Sequence, residues 1–444
     1  MLFKINMKKQ SSFSTAVTAV LFFQYIGSSL ANSLVPPQEQ DQNKMTLLLP
    51  EAHHDWVTIR NPNRSHIYID KTQYLWNLVV NKKARRRLIT RPRHFGKSLF
   101  LQMAEQFFKG KKHLFRGLFV EKYGNKNIFP TERVSDAEGK WMEYPVINLN
   151  FKAIEKFTTI EEFKSDYCVR IATIAREYEL HNFEPGRGCT SDLIKRLYFK
   201  FNKTPVIVLA DDYDFPFERA LFQNNTKLAK EIRSYLDSIF GMMKNDVKRV
   251  GFLFIMGVSK LRFGDLQSGA NNIHDETYNP EYSEAFGFTE EEITNHLGQY
   301  IDEFAKSDSL TPKNITDTLK YWYGGYQYDL NNRSSRVFNP VSTLSSIRNQ
   351  KFECYRINTS SIDPFPEMCY REGWSLDLLL KGVGISPSVI EDGLTERDQP
   401  FLITWMFHNG YFTVDGQQST DIKLKIPNFE IETAINKSLS SYDP

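Results

Sequence analysis

The hydrophobic positions of this chain change period along its length, and the changes mark out its elements. From Thr72 the run Thr-Gln-Tyr-Leu-Trp-Asn-Leu-Val-Val has helical spacing, with Asp70 as N-cap and Gln73 three residues on, in a capping-box arrangement. Arg87-Leu88-Ile89-Thr90 reads as a short strand that Pro92 ends. Residues 99–108 form an apolar-faced helix, and Tyr144 to Phe151 alternates like a strand. Helical patterns follow at 159–181, 190–202 and about 226–243. Pro205 to Ala210 and Val250 to Gly257 are continuous apolar runs, as expected of strands buried on both faces. This β–α alternation predicts a parallel α/β sheet flanked by helices. After about residue 289 the pattern becomes mainly helical, and Tyr411 to Ile426 reads as a hairpin with Asp415-Gly416 as its turn.

The first residues follow another logic. Lys4, Lys8 and Lys9 precede an uncharged stretch from Ser12 to Ala31, and Ser29 and Ala31 are the small residues a cleavage site needs. Residues 1–31 therefore read as a secretory signal peptide; a short membrane anchor or an N-terminal extension is the alternative. Residues 32–60, rich in Pro, Gln and Asn, read as a linker. The expected organisation then continues as an α/β domain over 61–290 and a helical region over 291–444 ending in the hairpin.

Composition narrows the field only modestly. With 444 residues, 41% hydrophobic and 25% charged, the chain is ordinary globular material for two or three domains. Lys+Arg number 56 against 53 Asp+Glu, so a nucleic-acid footprint would have to be a local patch, and none dominates. The 14% aromatic content is assigned to core. The four cysteines, Cys168, Cys189, Cys354 and Cys369, show neither a CxxC pair nor zinc spacing. They read as scattered reduced thiols, with a Cys354–Cys369 disulfide as the alternative.

The candidate chemistry lies between the first strand and its helix. Arg91-Pro92-Arg93-His94-Phe95-Gly96-Lys97-Ser98 gives strand, loop with Gly-Lys-Ser, then helix, the context a phosphate-binding P-loop demands. Backbone N–H groups at a helix N-terminus meet phosphate without desolvating a side chain. Gly96 allows close approach, Lys97 reaches the β/γ-phosphates and Ser98 holds Mg2+. Arg91 stands where the usual motif has its first glycine. The acids at the end of Val206-Ile207-Val208-Leu209-Ala210-Asp211-Asp212 lie where α/β sheets place ligands. Asp211 is expected on Mg2+ and Asp212 as the base that orients the attacking water; a turn or cap role is the alternative for Asp212.

Several pieces together resemble the bacterial predicted AAA-ATPase-like family of P-loop NTPases, related to the AAA/STAND groups. They include Tyr68-Ile69-Asp70-Lys71-Thr72, the Arg91–Ser98 loop, Leu209-Ala210-Asp211-Asp212-Tyr213-Asp214 and Gly257-Val258-Ser259-Lys260. Further on are Gly287-Phe288-Thr289-Glu290-Glu291-Glu292, Trp322-Tyr323-Gly324-Gly325-Tyr326, Phe338-Asn339-Pro340, Gly410-Tyr411-Phe412-Thr413 and Pro427-Asn428. The resemblance runs from about 60 to 435 and implies ATP and Mg2+ as ligands, with Arg91 and Arg93 beside Gly96, Lys97 and Ser98 at the nucleotide. In it an arginine at the first-glycine position is normal. Read without it, Asp70 and Lys71 are an N-cap and a solvated lysine.

Departures from the family pattern concern hydrolysis rather than binding. Asp212 stands where the family usually has Glu, and Met256 where it usually has Thr. Methionine cannot donate a hydrogen bond to a phosphate or its water. Three readings follow: a Mg-dependent ATPase or nucleotide switch, a hydrolysis-deficient nucleotide-binding or interaction module, and a DNA-associated protein like relatives that carry a C-terminal PD-(D/E)xK nuclease-like domain. The chain stops about where that domain would begin. Asp415 with Asp421-Ile422-Lys423 mimics its motif but reads as a polar hairpin. Protein partner and oligomeric state stay open, as does the choice between secretion and a cytoplasmic location.

Overall fold

The computed structural model describes residues 47–441, apart from 83, 126–127, 130–140, 185, 187, 264–272, 357–364, 395–400 and 419. The leader and the first part of the linker expected over 1–46 lie outside the described residues.

The polypeptide enters through α1 (Trp56–Ile59) and α2 (Thr72–Val80), then forms β1 (Arg86–Thr90) and α3 (Lys97–Phe108). After β2 (Val146–Asn150) come α4 (Ile160–Glu177) and α5 (Cys189–Lys200). Then follow β3 (Val206–Asp211), α6 (Phe215–Phe222), α7 (Thr226–Asn245), β4 (Val250–Gly257) and a short β5 (His274–Asp275). The five strands are parallel, in the order β2-β3-β4-β1-β5. Every residue of β3 and β4 is buried, which explains their unbroken apolar runs. The register pairs Thr90 with Gly257 and Asn150 with Asp211, so four carboxyl ends meet at one edge of the sheet. That edge carries the Arg91–Ser98 loop.

The C-terminal half is mainly helical, as expected. It contains α8 (Glu290–Ser307), α9 (Pro312–Tyr323), α10 (Pro340–Asn349), α11 (Phe365–Glu372) and α12 (Leu376–Lys381). After β6 (Val383–Ile385) come α13 (Pro387–Asp392), α14 (Phe401–His408), β7 (Thr413–Gln418), β8 (Asp421–Lys425) and α15 (Phe429–Ser440). Helices α8 to α10 share a core of their own, built on Ile293, Leu297, Ile315, Leu319 and Ile347. Thr289 and Glu292 close a capping box on α8, which accounts for the Gly-Phe-Thr-Glu-Glu-Glu motif. Among the described residues no helix is long and apolar enough to cross a membrane.

The Asp415-Gly416 turn expected in the hairpin lies elsewhere. The ladder runs on to Gln418↔Asp421, and Asp415-Gly416 sits inside β7 at a register shift, with Gly416 at φ 130°. The pair marks a bulge in the strand instead of its end. β6 joins on the far side of β8, so the hairpin is two-thirds of an antiparallel sheet. Residues 47–60 are more than a linker, because Trp56 is fully buried and packs on Tyr68 and Phe115. The capping box at Asp70 does not close through Gln73. Asp70 instead accepts from the Thr72 amide and hydroxyl and from the Phe119 amide at 2.6 Å.

The cysteine reading also changes. Cys168 on α4 and Cys189 at the start of α5 form a disulfide with Cα atoms 5.8 Å apart, while Cys354 and Cys369 are in no disulfide. Sequence spacing cannot reveal such a pair, since two helices bring the thiols together. A bond of this kind persists in oxidising surroundings.

Glu430 shows how the Pro427-Asn428 motif closes the C-terminal region. Asn428 caps α15 and donates to the Gly324 carbonyl at 2.7 Å. Glu430 is buried and accepts from the Ser342 hydroxyl and the Tyr355 and Arg356 amides, all through Oε1, while Oε2 has no partner. Burial outweighs these bonds and pushes its carboxyl up to about 6. A raised carboxyl contributes stability that is present below its unfolded pKa and lost as pH rises through about 6. The loss is about 2 kcal/mol. Glu430→Gln should therefore flatten the decline in unfolding midpoint between pH 5 and 7, measured by urea titration at each pH. An unchanged slope would place that titration elsewhere.

Candidate functional site

Loop 91–98 turns on two residues with positive φ, His94 at 70° and Gly96 at 81°. A Cβ on Gly96 would meet nothing within 4 Å, so backbone conformation alone explains the glycine. The loop amide of Arg91 donates to the Gly257 carbonyl at 3.1 Å, which anchors the turn to β4. Lys97 is buried and folds back to donate to the Pro92 carbonyl at 3.0 Å, inside its own loop. Burial lowers its ammonium, while Asp212, Asp211 and Asp214 pull it back up.

The expected metal pair lies together. Ser98 hydrogen-bonds the carboxylate of Asp211, whose Oδ1 is buried without a partner. Burial and then Asp212 push the Asp211 carboxyl up to about 6, with Ser98 and Lys97 pulling the other way. An orphan carboxylate oxygen beside a serine hydroxyl suits a hard cation bound by oxygen. A polar cleft of about 270 Å3 opens there, lined by Ser98, Asp211, Glu105, Asn148, Asn150 and Arg170. Asp212 is half-buried at φ 50° and is the largest of the charges supporting Lys97.

The neighbouring motifs act as structure. Asp214 accepts from the amides of Val258 and Ser259 at 3.0 and 2.5 Å, and burial raises its carboxyl well above the usual range. A Cβ on Gly257 would lie 2.3 Å from Asp214 Oδ1, so this contact requires glycine. Tyr213 accepts from the Leu261 amide and donates to the Ser259 carbonyl. From the C-terminal region, Tyr326 and Tyr328 pack edge-on against Phe95, and Gly410 leaves room for Pro92. The Gly-Gly-Tyr and Gly-Tyr-Phe-Thr motifs thus brace the loop from below.

Two basic residues are placed differently from expectation. Arg91 is buried, and its guanidinium donates to the carbonyls of Thr90, Thr277 and Tyr282 at 2.8, 2.6 and 2.9 Å. It also lies 4.4 Å from the Tyr328 ring centroid. The side chain is committed to the fold, whereas Arg93, two residues on, is exposed. Lys71 is not solvated. It is buried and bonds Glu292 at 2.5 Å and the Glu284 carbonyl at 2.8 Å, tying the start of α2 to α8.

Beside residues 94–98 lies a cavity of about 500 Å3. Its other walls come from the entry segment (Pro50, Ile59), from Ile67 and Tyr68, and from Leu344 and Arg348 of α10. None of these was legible as a site residue. They are distant in sequence and mostly apolar. His94 also lines the cavity, and burial together with Arg356 pushes its imidazole down to about 4, so it is neutral at pH 7. The nuclease-like trio does not form a site: Lys423, Lys425 and Arg336 surround Asp415, while Asp421 pairs at the far end of the ladder.

Residues 51–267 match the family described as Predicted AAA-ATPase. An uncharacterized protein in the vnfD 5' region of Azotobacter chroococcum mcd 1 is 27% identical over 405 residues, covering 88% of this chain and 69% of that protein. The family match supports a nucleotide-binding, ATPase-like role in general terms. The matched segment contains the loop and Asp211, while the α10 wall of the cavity lies beyond it.

Proposed function

Given a predicted AAA-ATPase segment over residues 51–267, we propose that this chain binds Mg2+ and ATP at the Arg91–Ser98 loop. The observation that carries the reading is the cavity of about 500 Å3 that ends on residues 94–98. The base and ribose occupy its apolar part, and the phosphates lie on the loop amides at the start of α3. Lys97 leaves the Pro92 carbonyl for the β/γ-phosphates, and Arg93 adds an exposed positive charge. Ser98 and Asp211 hold Mg2+, which spreads the phosphate charge. Asp212 orients water.

Lys97→Ala removes a charge-assisted contact, a loss of about 2 kcal/mol or roughly thirtyfold in affinity. Labelled-ATP binding with Mg2+ measures it, and equal affinity in the two proteins rejects the site.

A second reading, binding without turnover, is favoured by Met256. Successive side chains of a strand alternate, so Met256 shares a face with Phe254 and Phe252, which pack on Phe100 and Phe108 of α3. It stands one pair nearer the loop, and where the family pattern usually has a threonine hydroxyl its thioether offers no donor.

A further inference from the structure

The entry segment brings together imidazoles that the nucleotide reading does not use. Glu51, His53 and His54 each offer one ligand atom, and all of these atoms lie within 4.8 Å of one another. Backbone pairing sets the cluster in place: Leu48 donates to the Ser65 carbonyl and accepts from the Ile67 amide, drawing residues 48–54 alongside His66. The His66 ring centroid then lies 4.9 Å from that of His54. His66 is buried, and its Nδ1 has no hydrogen-bond partner. A buried imidazole nitrogen without a partner is uncommon and asks for a ligand or a water.

We propose that Glu51, His53 and His54, with the buried His66 imidazole beside them, form a binding site for a divalent transition metal at the rim of the cavity.

Donor chemistry selects the ion. Imidazole nitrogens with one carboxylate suit Zn2+ and its neighbours, whereas Mg2+ takes oxygen ligands. The site is thus chemically distinct from the Ser98–Asp211 pair. Metal–nitrogen and metal–oxygen bonds are about 2.0–2.2 Å, so ligand atoms at tetrahedral angles around one ion stand about 3.4 Å apart. Closing from as much as 4.8 Å takes about 1.4 Å of side-chain movement, which rotation about the χ angles of exposed or half-buried side chains supplies. Two weak contacts give way. Glu51 Oε2 lies 3.3 Å from His53 Nδ1, and the Glu51 amide donates to His54 Nδ1 at 3.1 Å. Each imidazole then offers one ring nitrogen to the metal. Because Glu51, His53 and His54 line the cavity, the ion pins the entry segment across its mouth. Arg348 of α10 already bonds the Pro50 carbonyl from the other side.

The test uses the full chain, free of any affinity tag and stripped of metal with a chelator. Zn2+ is titrated in competition with a chromophoric chelator, with no nucleotide present. One equivalent should bind, and His53→Ala/His54→Ala should weaken it roughly a hundredfold, since both are first ligands. Lys97→Ala should leave Zn2+ affinity unchanged, which separates failure of this site from failure of the nucleotide site. Circular dichroism of the double variant checks its fold; His53 is exposed, so the fold should survive. Co2+ in place of Zn2+ should give visible d–d bands that the double variant lacks. Equal Zn2+ affinity in the wild type and the folded double variant, or no binding at micromolar Zn2+, overturns the proposal.

Discussion

Replacing Arg91 with alanine is expected to lower folding free energy by about 3–5 kcal/mol, the range for removing one partner of a buried charged network. The deletion strands three buried carbonyls, those of Thr90, Thr277 and Tyr282, each of which now accepts from the guanidinium. An unsatisfied buried acceptor costs about 1–3 kcal/mol. The cation also loses its place over Tyr328, and the protein loses the tie between the end of β1 and the segment after β5. Burial lowers the Arg91 guanidinium only to about 10, so it is charged at pH 7. The urea midpoint should therefore fall sharply, while the folded fraction keeps its ATP affinity within about threefold, a change below 1 kcal/mol. Arg93→Ala should do the reverse, because that side chain is exposed. An Arg91→Ala protein with an unchanged midpoint and weakened ATP binding would return Arg91 to the nucleotide.

The two arginines show where sequence reading stops. Strand β4 was legible to the residue because an eight-residue apolar run has one reasonable use beside a parallel sheet. The Gly-Lys-Ser triplet was legible because its neighbours supplied strand and helix. Arg91 and Arg93 differ only in which way the chain points them, and that depends on carbonyls 186 and 191 residues further on. Lys71 has the same history, since its partner Glu292 is 221 residues away. The thiols of Cys168 and Cys189 meet because α4 packs on α5. Apolar cavity walls such as Ile59 and Leu344 carry no chemical signature, so only the fold reveals them.

Asp212→Glu is expected to raise steady-state ATP turnover by up to about a hundredfold, the scale on which a misplacement of 1 Å slows a reaction. Asp212 follows Asp211, the proposed metal ligand, directly and is half-buried at the strand end, where its charge acts on Lys97. Its carboxylate stops one methylene short of where a glutamate would carry it. The backbone opposes the change, because φ at this position is 50°. Asp tolerates the left-handed region better than Glu, a difference of about 1 kcal/mol. A hundredfold gain corresponds to about 2.7 kcal/mol of barrier, so the reach should outweigh the strain. Met256→Thr is a poorer first test, since it puts a hydroxyl and a smaller side chain into a fully buried position, at about 2 kcal/mol. Three rates decide between the readings. Clear wild-type turnover that Asp211→Ala abolishes makes this an ATPase despite Asp212. Turnover present only in Asp212→Glu makes the shortened acid the reason for silence. No turnover in either, with Mg-dependent ATP binding intact in both, leaves a module that holds its nucleotide without cutting it.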